Sequence, residues 1–290
     1  MIAVVLAVFA AASNAVASVL QRLAARRVPE RVAMRLGLIW ALLRSPVWFG
    51  GIGALILGFA FQAAALSQGG LALVQPVLIS ELPFTMILVS RVFGIRLGGR
   101  SWLAIGLLTG GLALLLFAAS PRPGDGGPDV LGWVMATAGT LATVCALVLV
   151  ARVTVGAGRA VAFGVAAGVG FAFTATFIKQ ATMVLEEDVS VLPVTWQVYA
   201  MVVAGLCSLF LLQNALQSGT LVAAQPALTL SDPVASIVYG TTMFGEEIRT
   251  GVWILPELTG IALMVCGSCL LAQSAWFIGT PQATPVDTPY

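Results

Sequence analysis

The chain has 290 residues, of which 59% are hydrophobic and only 9% charged, where a soluble domain carries about 25% charged residues. That leaves too few polar side chains to coat a water-facing surface, and a net charge of +2 gives no footing for nucleic acid. With no His, and with Cys145, Cys207, Cys266 and Cys269 all inside apolar runs, neither a zinc site nor a disulfide framework is expected, and no cofactor.

The apolar residues fall in unbroken runs of about 20, the length that crosses ~30 Å of hydrocarbon as a helix. Strands of a membrane barrel would instead alternate over about 10 residues. The fold class is therefore all-α integral membrane, with about nine spans. Span 1 covers 2–20; no basic residue precedes it, so it is read as a retained helix rather than a cleaved signal. A basic stretch at 22–45 follows, with Arg22, Arg26, Arg27, Arg31, Arg35 and Arg44 against Glu30. The apolar piece inside it, 36–43, is too short to span and is expected at the interface. Span 2 covers 46–66, a Gly69-Gly70 turn leads into span 3 at 71–92, and span 4 covers 102–119. The Pro- and Gly-dense stretch 120–128 breaks the pattern. Spans 5 to 9 follow at 130–150, 160–181, 193–212, 219–243 and 252–271, with the acidic Glu186, Glu187 and Asp188 between spans 6 and 7. The tail at 273–290 is expected to be disordered.

With nine spans, one side collects 11 basic residues and the other 3, namely Arg122, Lys179 and Arg249. The positive-inside rule then places the N-terminus outside and the C-terminus in the cytoplasm of a plasma-membrane protein.

The chain also repeats itself at an offset of 150: Gln75, Pro76 and Pro83 recur as Gln225, Pro226 and Pro233. Ala65-Leu66, Gly69 and Leu71 likewise match Ala215-Leu216, Gly219 and Leu221, and Trp102 more loosely matches Trp253. Repeat one is 1–119, repeat two is 160–272, and 120–159 holds the linker and span 5. An odd number of crossings separates the copies, so they are inverted. That is the architecture of many secondary transporters, whose solute site lies near the midplane between the repeats.

Glu81 in span 3 and Asp232 in span 8 are the acidic residues expected near the midplane. A charge at that depth is unfavourable by ~2.5–3.5 kcal/mol on insertion scales, so such residues face a cavity and bind something. Two carboxylates facing one cavity can share a proton and exchange it for a cation, so Glu81 and Asp232 are also the candidate metal ligands. Pro76, Pro83, Pro226 and Pro233 lie inside their spans, where each removes a backbone hydrogen bond; they are candidate hinges. Gln75, Gln225, Asn14 and Gln62 are candidate path-lining amides, although amides also join helices. Gln213 and Asn214 lie at the inner end of span 7. Lys179 is expected to snorkel to the outer interface. Gly106-x-x-x-Gly110 and Gly164-x-x-x-Gly168 are small-residue packing motifs that would serve the bundle or a homodimer contact.

Arg44-Ser-Pro46-Val-Trp48 opening span 2, the Ala-Leu-x-x-Gly turn before span 3 and the Gln-Pro start of that span resemble the repeat unit of the drug/metabolite transporter superfamily. The resemblance covers nearly the whole chain. Nine spans, an outside N-terminus, a basic segment after span 1 and Gln213-Asn214-Ala-Leu216 look most similar to its NIPA-type magnesium transporter branch. Glu81 departs from that branch, where a small or polar residue is expected. The resemblance implies a transporter of a small solute, a cation such as magnesium or a small organic cation; export of a neutral metabolite is the alternative. An intramembrane enzyme would need a nucleophile or metal site, and there is no Gly-x-Ser-x-Gly or Gly-x4-Gly-Lys motif. A receptor or scaffold would carry larger loops than these.

Overall fold

In a computed structural model of the protein, residues 1–26, 45–94, 96–124, 126–218 and 221–279 are described. They form ten α-helices: α1 Ile2–Arg26, α2 Pro46–Gln68, α3 Leu71–Leu78, α4 Glu81–Phe93, α5 Gly99–Ala119, α6 Val130–Val153, α7 Ala157–Glu187, α8 Trp196–Ser218, α9 Leu221–Met243 and α10 Ile254–Gly279. Taking α3 and α4 together as one span, eight segments among the described residues are long and apolar enough to cross a membrane. The chain is thus a multi-pass, all-α membrane protein. Most of the basic stretch expected at the interface, 27–44, lies outside the described residues, as do 280–290. Four helices outrun their expected ends by six residues or more: α1 continues to Arg26, α8 to Ser218, α10 to Gly279, and α7 to Glu187, taking Glu186 and Glu187 out of the expected loop and into the helix.

The helix ends follow local chemistry. Pro46 opens α2, where its missing N–H leaves nothing unpaired. The Asp129 carboxylate caps α6 by accepting from the Gly132 N–H at 2.7 Å. Gly94, in the left-handed region at φ 67°, closes α4.

Two Ala-rich helices organise the bundle. In α1, Ala7, Ala10, Ala11 and Ala15 are fully buried, and in α7 so are Ala166, Ala167 and Ala172. Small side chains let backbones approach closely, which matters in lipid because van der Waals packing rather than water exclusion holds the helices together. The packing has a matched form: α1 packs on α2, α3 and α4, while α7 packs on α8 and α9. Helix α5 pairs with α10, and α3 meets α9. Helix α6 leans on α7 and touches α9, where the Thr140 and Tyr239 hydroxyls meet at 2.6 Å.

Of the two small-residue motifs, one is at a crossing. Gly164 and Gly168 face Ala224, Ala227 and Ser231 of α9. Gly106 and Gly110 have no atom within 4 Å of where a Cβ would sit. Helix α5 instead turns Gly111 to α10, against the Gly260 carbonyl.

One end of the bundle gathers several connections. Arg122 and Glu247 form an antiparallel bridge, the Arg122 N–H donating to the Glu247 carbonyl at 2.9 Å. The Arg249 N–H donates to the Ala119 carbonyl at 2.9 Å. These bonds tie the segment after α5 to the segment after α9. In the sequence topology both lie on the side of few basic residues.

Candidate functional site

The span expected at 71–92 is broken. Helix α3 stops at Leu78 and α4 starts at Glu81. Pro83 carries no N–H, so the Ile79 carbonyl loses its helical partner and is taken by the Leu82 N–H at 3.0 Å. The Ile79 and Ser80 N–H groups likewise bond three residues back, to Pro76 and Val77. This tight turn puts Glu81 at the first position of a new helix. Helix α9 carries prolines at the matching places, Pro226 and Pro233, yet runs unbroken. There the Thr229 hydroxyl donates to the Gln225 carbonyl at 2.8 Å, and Ser231 to the Ala227 carbonyl at 2.8 Å. These hydroxyls bond back onto their own helix, as Ser and Thr in apolar helices usually do.

A cavity of about 710 Å³ lies between α1, α2, the broken α3–α4 span, α7, α8 and α9. All six candidate binding residues line it: Asn14, Gln62, Gln75, Glu81, Gln225 and Asp232. Leu55, Ile56, Phe59, Phe171, Ile178 and Leu209 supply apolar wall. Among the described residues, its lining includes no Lys or Arg. Of the four candidate hinges, Pro233 lines the cavity, while Pro76, Pro83 and Pro226 are buried behind it. Gln213 is exposed, and the Asn214 amide donates to its own helix, at the Phe210 carbonyl, 2.8 Å away. Neither lines the cavity.

The two carboxylates have different partners. Glu81 is half-buried and hydrogen-bonded by the side chains of Asn14 and Ser18 of α1. The Ser236 hydroxyl donates to Asp232 Oδ1 at 3.3 Å, one turn along α9. Gln75 is 3% exposed, and its Nε2 donor has no partner among the described residues. A buried amide left open beside a cavity is a group a ligand can bond. Among the described residues no group of three or more His, Cys, Asp or Glu could hold a metal ion. The donor set of the cavity is two carboxylates and four amides.

Lys179 does not snorkel. It is 5% exposed, with Nζ 2.6 Å from Glu246 Oε1 and 4.5 Å from the centre of the Phe244 ring. The expected route to the interface is replaced by a buried partner. Glu246 was not singled out from the sequence, where it reads as a loop residue beyond span 8. The available signal was its pairing with the chain's one lysine on the same side of the membrane. Ser18, Thr174 and Thr229 also went unmarked, since hydroxyls in apolar helices usually bond their own backbone.

No known protein family and no solved structure matches the chain. It is 27% identical over 266 residues to an uncharacterized protein of Corynebacterium glutamicum, covering 91% of this chain and 92% of that one. The fold and the cavity define a class, a multi-pass helical membrane protein with a polar-studded chamber between its helices.

Proposed function

We propose that the chain is a secondary transporter that moves a small organic cation across the plasma membrane by alternating access. One observation carries this: Glu81 and Asp232, from the two copies of the repeat, line a single cavity with four amides and, among the described residues, no Lys or Arg. A volume of about 710 Å³ lies within the ~300–1,000 Å³ of small-molecule sites. The leucine, isoleucine and phenylalanine walls add a large apolar surface that a bare ion does not use. An amine with an apolar body matches both the carboxylates and the walls.

The nine-span inverted repeat belongs to the same proposal, with α9, 23 residues long, as the further span. The matched packing of α1 with α2–α4 and of α7 with α8–α9 supports it, as does the recurrence at offset 150. The drug/metabolite transporter resemblance supports it too.

In proteoliposomes, a proton gradient is expected to drive accumulation of an aromatic or aliphatic monoamine, measured with radiolabelled compounds. Gradient-driven magnesium flux with no amine flux would replace the substrate, and neutral-solute flux alone would do so as well. No flux of any of the three would overturn transport. For the topology, a reporter active only in the cytoplasm and fused after Tyr290 is expected to be active. Activity at the N-terminus with silence at the C-terminus would invert the assigned sidedness.

A further inference from the structure

The Glu246 carboxylate accepts three hydrogen bonds, from three different groups. Its Oε1 accepts from Lys179 Nζ at 2.6 Å and from the Leu71 N–H at 2.7 Å, and its Oε2 from the Ala72 N–H at 2.9 Å. It thereby satisfies the first free N–H groups of α3, where a helix dipole favours negative charge. Gly70 and Gly240 form the notch that admits it: a Cβ on either would come within 2.5 Å of the carboxylate. Around it Leu66, Leu71, Val74 and Phe244 are completely buried.

This cluster is the roof of the cavity. Ile178, next to Lys179, and Gln75, one turn beyond Leu71, both line the chamber. The bonds also join the two copies of the repeat, since α3 belongs to the first, and α7 and the segment after α9 to the second. Alternating access requires such a joint to part when this end opens.

The repeat makes the joint one-sided. Leu71 corresponds to Leu221 at offset 150; past the prolines the match runs at 151, pairing Phe93-Gly94 with Phe244-Gly245 and Trp102 with Trp253, so Ile95 stands opposite Glu246. An isoleucine side chain has no acceptor and cannot cap N–H groups. The carboxylate that locks α3 therefore has no counterpart in the repeat to lock α9.

We propose that Lys179 and Glu246 form a gate latch that holds this end of the cavity shut and biases the resting protein toward opening at the other end. The inference rests on the transport reading, deepening it with a gating role for two residues outside the binding cavity. Breaking the latch removes bonds made in one state only, so it shifts the population rather than the intrinsic affinity.

The test uses the full chain with its four native cysteines replaced and a reporter cysteine at Ile178. A membrane-impermeant maleimide is applied separately from each side, in intact cells and in inside-out vesicles. The reporter should label slowly from the Glu246 side in the parent. Glu246→Gln and Lys179→Met should each raise that rate roughly tenfold or more and lower the rate from the opposite side. If neither variant folds, Gly240→Ala keeps every charge and displaces the carboxylate, and it should give the same shift. Unchanged rates in a folded variant would overturn the latch, as would equal gains from both sides, which mark general loosening. Amine uptake is measured in parallel. One-sided opening without uptake would overturn transport and leave the latch; uptake without one-sided opening would do the reverse.

Discussion

Glu81→Gln and Asp232→Asn are each expected to abolish proton-driven amine uptake, and the double variant to be no worse than either single. Each substitution keeps the side chain's shape and removes its charge. An amine bound between the two carboxylates loses a charge-assisted hydrogen bond in a buried site, about 2 kcal/mol or more, so binding weakens roughly thirtyfold or beyond. Proton exchange is affected more directly, because a site with one carboxylate missing cannot alternate between proton and cation in the same way. Residues that act as one unit give non-additive losses. Folding should survive. A neutral amide is easier to place in a membrane than a carboxylate, Asn14 and Ser18 can still bond a glutamine at 81, and Ser236 an asparagine at 232. Gln213→Ala serves as the control, since Gln213 is exposed and outside the cavity. Uptake by each purified variant across a range of pH provides the measurement. Wild-type rates in both single variants at every pH would return Glu81 and Asp232 to helix packing.

That these six polar residues meet in one chamber was readable from the chain because the bilayer simplifies the problem. A carboxylate or amide in an apolar run has no water to turn to, so it must face protein or a cavity. Length and apolar content placed the helices for the same reason. Less readable was anything decided by pairing across the bundle. Lys179 looked like a snorkelling residue because its partner Glu246 lies 67 positions away, beyond a loop whose path no periodicity describes. The break at Ile79–Ser80 was half legible. The prolines announced it in both copies, but only the first span is broken, between Leu78 and Glu81.

The glycines show the same limit, and they carry the second large prediction. Gly111→Leu and Gly267→Leu are expected to destabilise the protein by about 1–3 kcal/mol or more each, and Gly106→Leu to change stability by less than about 0.5 kcal/mol. In sequence all three are glycines in apolar helices, and only Gly106 belongs to a Gly-x-x-x-Gly pair on α5. In the bundle the order reverses. A Cβ at Gly111 would sit 2.6 Å from the Gly260 carbonyl oxygen, and one at Gly267 2.9 Å from the Ala104 carbonyl oxygen. Both clashes are with backbone, which cannot rotate away, so α5 and α10 must separate. Separation exposes Leu108, Leu115 and Met264, now buried between them, to lipid that fits them less closely than the facing helix. Gly106 meets nothing within 4 Å, so a leucine there simply adds to the lipid-facing surface. Unfolding of the purified variants in detergent, followed by loss of helical signal, gives the comparison. Equal loss at Gly106 and Gly111 would show that the α5–α10 crossing is not where the stability resides. A Gly106→Leu protein that stays stable but changes from dimer to monomer by light scattering would instead assign that face to a second copy of the chain.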